Sequence, residues 1–304
     1  MIKKFAYKNL TWVDLESPTK SDIDEIRADY KVHDLVAREI HKPTLKPRVD
    51  FYNHYIYLIL HFPVFDKKDR RIYAREVDFV LGKDFLISAH YEPIPALHEL
   101  SKIFGLENED EESRAKTHAG YLFFYIMRHL YSSLETELII INHELEKAEE
   151  EVFRGKEMKM VEHLSVIGRH VLDFGRIVKP HKEILASFEK ASTKFYGDSY
   201  DHYSTTISGE YYKLWNEVEM VRDVLRELRK TNDSLLTTKI NDIMKFLTIM
   251  AFITLPPTLI ATVFSMGTSD TPIVGEKFDF WIILGLMALT GATFFAFFKY
   301  KKWL

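Results

Sequence analysis

The sequence predicts an α/β cytosolic domain, a long helical stalk and a two-helix membrane hairpin at the C-terminus. Over residues 1–118, short runs rich in β-branched and aromatic residues alternate with helical runs, and long helical periodicity replaces them from Ala119 onward. Two apolar stretches without charged residues follow, 246–269 and 280–298. The 304 residues are 46% hydrophobic and 28% charged, which leaves ample chain for a soluble core beside the hairpin.

Turn and cap signals define the elements of the α/β domain. Strands are predicted for the runs 55–65 and 76–91, and the GKD sequence at 82–84 divides the second run with a turn. Thr19 and the acidic run after it predict a capped helix start. The basic cluster at 67–71 is interrupted by an aspartate, so a hairpin turn is predicted there rather than a nucleic-acid site.

Residues 119–205 are predicted to form an antiparallel helical hairpin and its connection. One helix runs to about Phe153, the chain breaks at 154–155, and a second helix spans about 156–188, with Pro180 weakening its last turns. Acidic side chains crowd the turn and leave open a solvated helical face or a metal site. They are Glu144, Glu146, Glu149, Glu150 and Glu151.

The stalk helix is predicted over 206–264. No proline occurs between Pro180 and Pro256, and apolar residues recur at alternating four- and three-residue steps, a spacing typical of a seam that packs against other helices. One helix of roughly 60 residues is therefore expected to join the cytosolic part to the first membrane span. The seam consists of Ile207, Tyr211, Leu214, Val218, Val221, Leu225 and Leu228.

The hairpin is predicted from length and charge. About 20 apolar residues cross roughly 30 Å of hydrocarbon, which both stretches satisfy. The first span ends the stalk, and the remaining segments are an extracytoplasmic loop at 265–279, the second span at 280–298 and a basic cytosolic tail at 299–304. Lysines precede the first span and follow the second, so both termini are expected in the cytoplasm, with the hairpin in the cytoplasmic (inner) membrane. The pair Pro256-Pro257 indicates a span buried among neighbours rather than immersed in lipid.

Several functional classes are disfavoured by composition. The absence of cysteine excludes disulfides, thiolate nucleophiles and zinc–thiolate sites. The opening residues lack the apolar core of a signal peptide, so the N-terminal domain is expected to remain in the cytosol. No ATP-binding loop, no nucleophile with an adjacent base and no His-x-x-x-His pair stands out among the 13 histidines, so an enzyme is not expected. The net charge of -4 argues against nucleic acid as a partner.

The entry to the first span reads NDIMKFLTIMAFITLPPTLIATVFSMG over 241–267. Together with TWVDLESPT, HDLVAREI, KPRVDFYNHYIYLIL, FVLGKDFLISAH and the tail KYKKWL, it resembles the CorA family of divalent-cation channels over essentially the whole chain. In that family the first span begins with Asn-x-x-Met-Lys-x-Leu-Thr, passes through Pro-x-Thr and ends at Gly-Met-Asn. The matching positions are Asn241, Met244, Lys245, Leu247, Thr248, Pro256 and Thr258.

The sequence departs from this pattern at the Gly-Met-Asn selectivity motif. Aligned without gaps, the motif falls on 265–267 and keeps only the methionine, so the asparagine that contacts hydrated Mg²⁺ in the family is missing. A gapped register at 267–269 is the alternative. Polar groups near the mouth either contact the ion or merely cap and solvate the helix end. The predicted mouth residues are Ser265, Met266, Gly267, Thr268 and Asp270.

Two membrane helices cannot enclose a pore, so conduction requires an oligomer, and the resemblance implies a homopentamer with the first span inside. One face of that span gathers polar and apolar side chains by three- and four-residue steps. Polar rings could exchange hydrogen bonds with the ion's waters, and apolar rings could close the path by dewetting, although Thr262 could equally serve helix packing. The predicted pore-lining residues are Asn241, Met244, Leu247, Thr248, Ala251, Leu255, Thr258 and Thr262.

The resemblance also implies closure by cytosolic metal that bridges neighbouring subunits. The family's acidic pair falls on Arg38-Glu39, and its aspartate before the stalk resembles Asp198. Glu39 and Asp198 are therefore the predicted metal ligands, with two unrelated surface acids as the alternative. Arg38 replaces an acid and lowers the local affinity for cations by charge repulsion.

The expected function is a passive channel for divalent cations, Mg²⁺ before others, driven by the membrane potential and gated by cytosolic metal. No carboxylate lies inside the first span, which argues against a proton-coupled relay. The alternatives are a family member that passes Zn²⁺, Co²⁺, Ni²⁺ or monovalent cations, and a nonconducting membrane-anchored scaffold. Expected partners are further copies of the chain, membrane lipid and the cation, which is both the transported and the regulatory ion. No other cofactor is expected.

Overall fold

The computed structural model describes residues 2–7, 9–44, 46–104, 118–267, 272–275, 277–301 and 303. Contacts divide the chain into two compact units, Met1–Arg229 and Lys230–Leu304. This division falls inside a single helix, Asp201–Phe264, so the two units share one continuous element.

A mixed sheet organises the first unit. Within the described residues its strands are β1 Ile2–Tyr7, β2 Leu10–Glu16, β3 Arg48–Phe51, β4 Ile56–Asp66, β5 Arg71–Leu81 and β6 Phe85–His90. They pair in the order β1-β2-β6-β5-β4-β3. Only β2 and β6 run parallel among these neighbours, and the other pairs are antiparallel.

Local sequence signals account for the centre of this sheet. The predicted strand runs become β4, β5 and β6, and the basic cluster 67–71 occupies the β4–β5 hairpin connection, which closes at the Asp66–Arg71 pair. The predicted turn at 82–84 joins β5 to β6. Gly82 is required there, because a Cβ on it would lie 2.2 Å from the ring of Phe85.

Three short helices accompany the sheet: α1 Lys20–Tyr30, α2 Asp34–Glu39 and α3 Pro95–Phe104. The predicted cap of α1 is present as a capping box, in which Thr19 Oγ1 accepts from the Asp22 N–H at 3.3 Å and the Asp22 carboxylate accepts from the Thr19 N–H at 2.9 Å. Strands β1 and β3 and helix α3 lie outside the elements predicted from the sequence.

The helical hairpin contains one more break than predicted. The helices are α4 Ala119–Phe153, α5 Glu157–Val178 and α6 His181–Tyr196. The break at 154–155 is confirmed, but the second predicted helix is wrong as one element, because it divides at Pro180. Proline has no N–H to donate to the carbonyl four residues earlier, and its ring collides with that carbonyl, so the chain restarts as α6.

A 3₁₀ turn, Asp198–Tyr200, leads into α7 Asp201–Phe264, and α8 Asp279–Tyr300 completes the described helices. All seven predicted seam residues of α7, from Ile207 to Leu228, are buried, so the four-and-three spacing does mark its packed face. Helix α7 begins five residues before the predicted 206, since the acidic DSYDH run already forms the 3₁₀ turn and its first turn.

Both faces of the sheet are covered. On one face Val13 and Ile87 pack in a cluster with Ile26 of α1 and Val36 of α2. On the other face Phe79 meets Phe123 of α4 edge to face, with ring centroids 5.2 Å apart. The sheet therefore separates the side of α1 and α2 from the side of the long helices.

His181 ties the long helices to the sheet. It is fully buried, its Nε2 lies 2.9 Å from the carbonyl of His61 in β4, and its Nδ1 lies 2.9 Å from the hydroxyl of Tyr131 in α4. Both contacts form at once when Nε2 donates its proton and Nδ1 accepts from Tyr131, which requires a neutral ring. Burial lowers the pKa of His181 to about 4.

We expect acid to destabilise the fold through His181. The unfolded side chain takes up a proton below about pH 6.5, whereas the folded one resists protonation until about pH 4. Stability is therefore complete above the unfolded pKa and falls as the pH decreases toward the folded value, by about 3 kcal/mol in total. Thermal unfolding of the detergent-purified chain between pH 7.5 and 4.5 measures this loss.

A His181→Gln variant provides the control for this measurement. It starts less stable because its contacts are imperfect, but it carries no titrating group at this position. Its stability should depend less steeply on pH than that of the unmodified chain. Equal slopes in the two proteins would show that His181 does not supply the acid sensitivity.

Candidate functional site

Two of the described helices, α7 and α8, are long and apolar enough to cross a membrane by length and composition. Their apolar segments are almost wholly exposed in the single chain. Large apolar surfaces of this kind need lipid or further protein to cover them. The candidate functional site is therefore built on the surface of α7 that α8 leaves open.

Helix α8 covers one face of α7 within the second unit. Ile249 and Phe298 are buried, and the ring of Phe252 lies 6.2 Å from that of Phe294 and 6.1 Å from that of Phe298. Farther along the same face Ile253, Pro256, Pro257 and Ile260 are partly buried. These positions define the side of α7 that faces its own hairpin partner.

The predicted pore-lining residues lie on the opposite side. At about 100° per residue, the stripe through Met244, Ala251, Leu255 and Thr262 is turned roughly half a circle from the face at Ile249. All predicted pore-lining residues are exposed except Thr248, which is partly exposed. The hairpin thus leaves this stripe free to face other copies of the chain or an aqueous path.

Every threonine of the stripe turns its hydroxyl proton back to the helix. Thr248 Oγ1 donates to the carbonyl of Met244 at 2.8 Å, Thr258 to Thr254 at 2.7 Å and Thr262 to Thr258 at 2.8 Å. Each hydroxyl then has only lone pairs left for a further partner. Rings of such oxygens accept hydrogen bonds, and the outer atoms of a hydrated cation are the hydrogens of its waters.

Helix α7 continues through Pro256 and Pro257 without a break. The two prolines have no N–H for the carbonyls of Phe252 and Ile253, so neighbours must compensate. Gly291 of α8 lies at this point, since a Cβ on it would be 3.9 Å from Pro257 Cγ and 4.0 Å from the Ile253 carbonyl oxygen. The second helix can therefore approach closely where the first loses its hydrogen bonds.

The predicted mouth residues are described in part. Ser265 Oγ donates to the carbonyl of Thr262 at 2.8 Å, so this hydroxyl is used in ending the helix. Met266 is exposed, and Gly267 has φ +64 with nothing within 4 Å of an added Cβ. Thr268 and Asp270, and with them most of the gapped alternative at 267–269, lie outside the described residues.

The predicted metal ligand Glu39 ends helix α2 and forms an ion pair with Arg48 of β3. Arg48 also donates from Nε to Asp50 at 2.7 Å. The Glu39 carboxylate is half-buried and already carries a positive partner, so a metal ion there must compete with Arg48. The sequence offered no signal for this partner, because β3 lies outside the predicted strands.

The other predicted ligand, Asp198, opens the 3₁₀ turn directly after Gly197, which has φ +92. It lines a cleft with Glu189, Lys190 and Asp201. No hydrogen bond or ion pair joins it to Glu39 within the described part of the chain, nor do three or more His, Asp or Glu side chains there form a metal-binding group. A metal bridge between Glu39 and Asp198 of neighbouring subunits stays a prediction.

The glutamates at the α4–α5 turn are engaged in surface ion pairs. Arg154 contacts Glu150 and Glu151, each at 3.2 Å, and Lys156 also contacts Glu151. Glu146 accepts from Asn142 at 3.0 Å. Of the two interpretations left open by the sequence, these contacts favour a solvated helical face.

A buried carboxyl pair, which the sequence reasoning missed, lies behind the Glu39 position. Asp78 of β5 is 1% exposed, and burial followed by the nearby charge of Glu76 raises its pKa well above the ordinary value. Asp78 Oδ2 lies 2.8 Å from the Tyr91 hydroxyl, which is also 3.1 Å from the carbonyl of Glu39. The Tyr91 hydroxyl donates to Asp78 Oδ2 and also lies within reach of the Glu39 carbonyl, so it links β5 to the end of α2. Asp78 Oδ1 is buried without a hydrogen-bond partner among the described residues. Two acids at alternate positions of a buried strand were the available signal.

The fold and the arrangement on α7 can be compared with known proteins. Residues 7–301 match the family described as CorA-like Mg²⁺ transporter protein. The chain belongs to this family. The resemblance noted in the sequence is thereby confirmed, and so is the predicted fold class of α/β domain, long helix and C-terminal helical hairpin.

Individual CorA relatives match along most of their length. The cobalt/magnesium transport protein CorA of Thermotoga maritima is 25% identical over 307 residues, which cover 97% of this chain and 83% of that protein. The putative metal ion transporter YfjQ of Bacillus subtilis is 25% identical over 300 residues, 96% of this chain and 89% of the relative.

Solved structures show the same fold. The complete CorA magnesium transporter of Methanocaldococcus jannaschii superposes with a TM-score of 0.83 at 18% identity and covers 99% of this chain and 94% of that one. The full-length CmaX protein superposes with a TM-score of 0.73 at 14% identity, covering 97% and 89%. At these identities the superpositions establish the shared fold alone.

Proposed function

We propose that this chain assembles into a homopentameric channel of the cytoplasmic membrane that admits Mg²⁺ or another divalent cation. The observation that carries the proposal is the exposed stripe of α7 opposite α8, with its threonine oxygens arranged as acceptors. Family membership supports it, since relatives are named as cobalt and magnesium transport proteins.

Assembly follows from the geometry of the hairpin. One α7–α8 pair covers only one side of α7, so a closed path requires several copies with their α7 stripes facing inward. Five copies are proposed from the family resemblance. The mass of the detergent-solubilised complex, measured by light scattering, checks this number, and a monomer would exclude a pore formed by α7.

The proposed orientation places both termini in the cytoplasm. Lys239 and Lys245 precede the apolar part of α7, and Lys299 and Lys301 follow that of α8. Trp281 at one end of α8 and Tyr300 at the other are strongly exposed, as expected for aromatic side chains at the two membrane interfaces. The driving force is then about 4.6 kcal/mol for a divalent cation at 100 mV, enough for accumulation without a pump.

A family member with altered selectivity is the second candidate, and Gly267 favours it. A ring of glycines has no amide side chains to hold hydrated Mg²⁺, while Mg²⁺ gives up its water reluctantly. Such a mouth discriminates weakly among Mg²⁺, Zn²⁺, Co²⁺, Ni²⁺ and monovalent ions. Cation flux into proteoliposomes, measured with each ion under an applied potential, separates the two candidates and tests conduction itself.

We expect polar replacement in the apolar rings of the stripe to raise resting flux. Leu255→Asn or Met244→Asn supplies hydrogen bonds to water where a dewetted ring would close the path. Proteoliposome flux should increase severalfold in at least one of the two variants. Met250→Asn is the matched control, because Met250 is exposed on another face of α7. Unchanged flux in both stripe variants with normal assembly would remove these residues from the gate.

We expect the Glu39→Ala, Asp198→Ala double variant to remain open at millimolar cytosolic Mg²⁺, because the proposed bridge between subunits loses both carboxylates. Arg48→Ala should act in the opposite direction, since it frees Glu39 from its ion pair and lets metal close the channel at lower concentration. Flux measured against internal Mg²⁺ checks both shifts, with the exposed Glu25→Ala as control. Wild-type inhibition in the double variant would place the sensor elsewhere.

We expect Ser265→Gly combined with Gly267→Asn to increase preference for Mg²⁺ and block by cobalt hexammine. The positive φ of Gly267 suits asparagine better than most residues, and no neighbour within 4 Å obstructs its Cβ, so the change fits the backbone. Ser265→Gly alone is the control for loss of the hydroxyl. Strong hexammine block in the unmodified channel would show that its mouth already holds a hydrated ion without the asparagine.

A further inference from the structure

Two glycines of α5 face two arginines of α7 inside the first unit. A Cβ on Gly168 would lie 1.9 Å from Nη2 of Arg229, and one on Gly175 would lie 2.9 Å from Nη2 of Arg222. The glycines are seven residues apart on one helix and the arginines seven apart on the other, in opposite order. Each glycine therefore leaves a notch that the guanidinium of one arginine occupies.

The notch at Gly168 contains a hydrogen bond between the helices. Arg229 Nη2 donates to the carbonyl of Leu164 at 2.9 Å. This carbonyl lies one turn before Gly168 and within a helix whose own ladder uses one of its two lone pairs. Any side chain at position 168 would occupy the place of the guanidinium, so the bond depends on the absence of a Cβ.

The second notch is weaker by comparison. Arg222 pairs with Glu219 of its own helix at 2.5 Å and lies with Cζ 5.9 Å from the ring of Trp215. The structure records for it no hydrogen bond to an α5 carbonyl within the described residues. Gly175 is therefore a useful comparison for Gly168: a substitution there would also displace an arginine, but it would break no hydrogen bond to α5.

The position of Arg229 gives the stronger notch its significance. The apolar seam of α7 ends at Leu228, Asn232 is still buried one turn farther on, and the first compact unit ends at Arg229. Beyond it the same helix belongs to the second unit, which carries the proposed pore stripe. The hydrogen bond from Arg229 to the Leu164 carbonyl thus lies at the end of the apolar seam.

We propose that Arg229 seated in the notch of Gly168 is a clamp that holds the end of the apolar seam of α7 against α5. With the clamp closed, a displacement of α7 in the domain is carried along the helix from that point. With the clamp open, the end of the seam loosens and the displacement is partly absorbed before residue 230. The consequence for gating rests on the proposed channel function, whereas the clamp itself does not.

A double-mutant cycle tests the clamp in the full-length chain. Gly168→Ala displaces the guanidinium without threatening the fold, because the obstructing group is the far end of a flexible side chain and alanine is the better helix former. Arg229→Ala removes the donor. Amide hydrogen exchange over residues 160–172 and 222–233 should accelerate about tenfold in each variant, as expected for one hydrogen bond from a charged donor. The double variant should exchange no faster than either single one.

Two substitutions on α7 control for effects unrelated to the notch. Gly209→Ala adds the same methyl group where nothing lies within 4 Å, and Arg226→Ala removes an arginine whose ion pair, to Asp223 at 3.0 Å, stays on its own helix. Neither should alter exchange in the two segments. Additive effects of Gly168→Ala and Arg229→Ala, or a Gly168→Ala effect no larger than that of Gly209→Ala, would overturn the clamp.

Flux measurements then test its role in gating. Inhibition by internal Mg²⁺ should become less steep in Gly168→Ala and Arg229→Ala, to the same extent in both, and remain unchanged in Gly209→Ala. If amide exchange becomes faster in these variants but inhibition by internal Mg²⁺ is unaltered, the clamp is supported and its role in channel closure is refuted. Absence of any Mg²⁺ flux in the unmodified chain would instead refute the proposed channel and leave the exchange result standing.

Discussion

A polar group inside hydrocarbon finds no water, so every such group in α7 must be satisfied by the protein itself. This constraint explains the hydrogen bonds seen in the apolar part of α7. The threonine hydroxyls donate to carbonyls one turn earlier, and the Ile253 carbonyl, freed by Pro257, lies where Gly291 allows α8 close access. On the exposed stripe, the hydroxyls of Thr248, Thr258 and Thr262 donate to the helix and so keep only lone pairs for a further partner.

Burial also penalises charged side chains in the α/β domain, although less severely than in hydrocarbon. Burial lowers the pKa of His181, which joins β4 to α4, and burial together with the nearby Glu76 raises the pKa of Asp78. The half-buried Glu39 forms an ion pair with Arg48. Burial thus favours the neutral forms of His181 and Asp78, whereas the Glu39 carboxylate is balanced by an arginine.

Prediction from sequence was most successful where a local rule acts without competition. The turn at 82–84, the Thr19 cap and the seam from Ile207 to Leu228 each depend on neighbouring residues, and each is present in the structure. Pro180 shows the limit of such rules. The helical periodicity of the sequence continues across it, but a proline cannot continue the backbone hydrogen bonds of a helix. The partner of Glu39 could not be predicted, because β3 and α2 meet only through the folded sheet.

The sequence by itself determined the class of fold and the family, because periodicity, hydropathy and motif order are properties of consecutive residues. Only the tertiary structure decided which side of α7 its hairpin partner covers, that Arg48 neutralises Glu39, and that Arg229 lies in the notch of Gly168. Those contacts join residues that lie between 9 and 65 positions apart in the chain. Their geometry depends on how whole helices and strands pack, and a linear pattern carries no record of it.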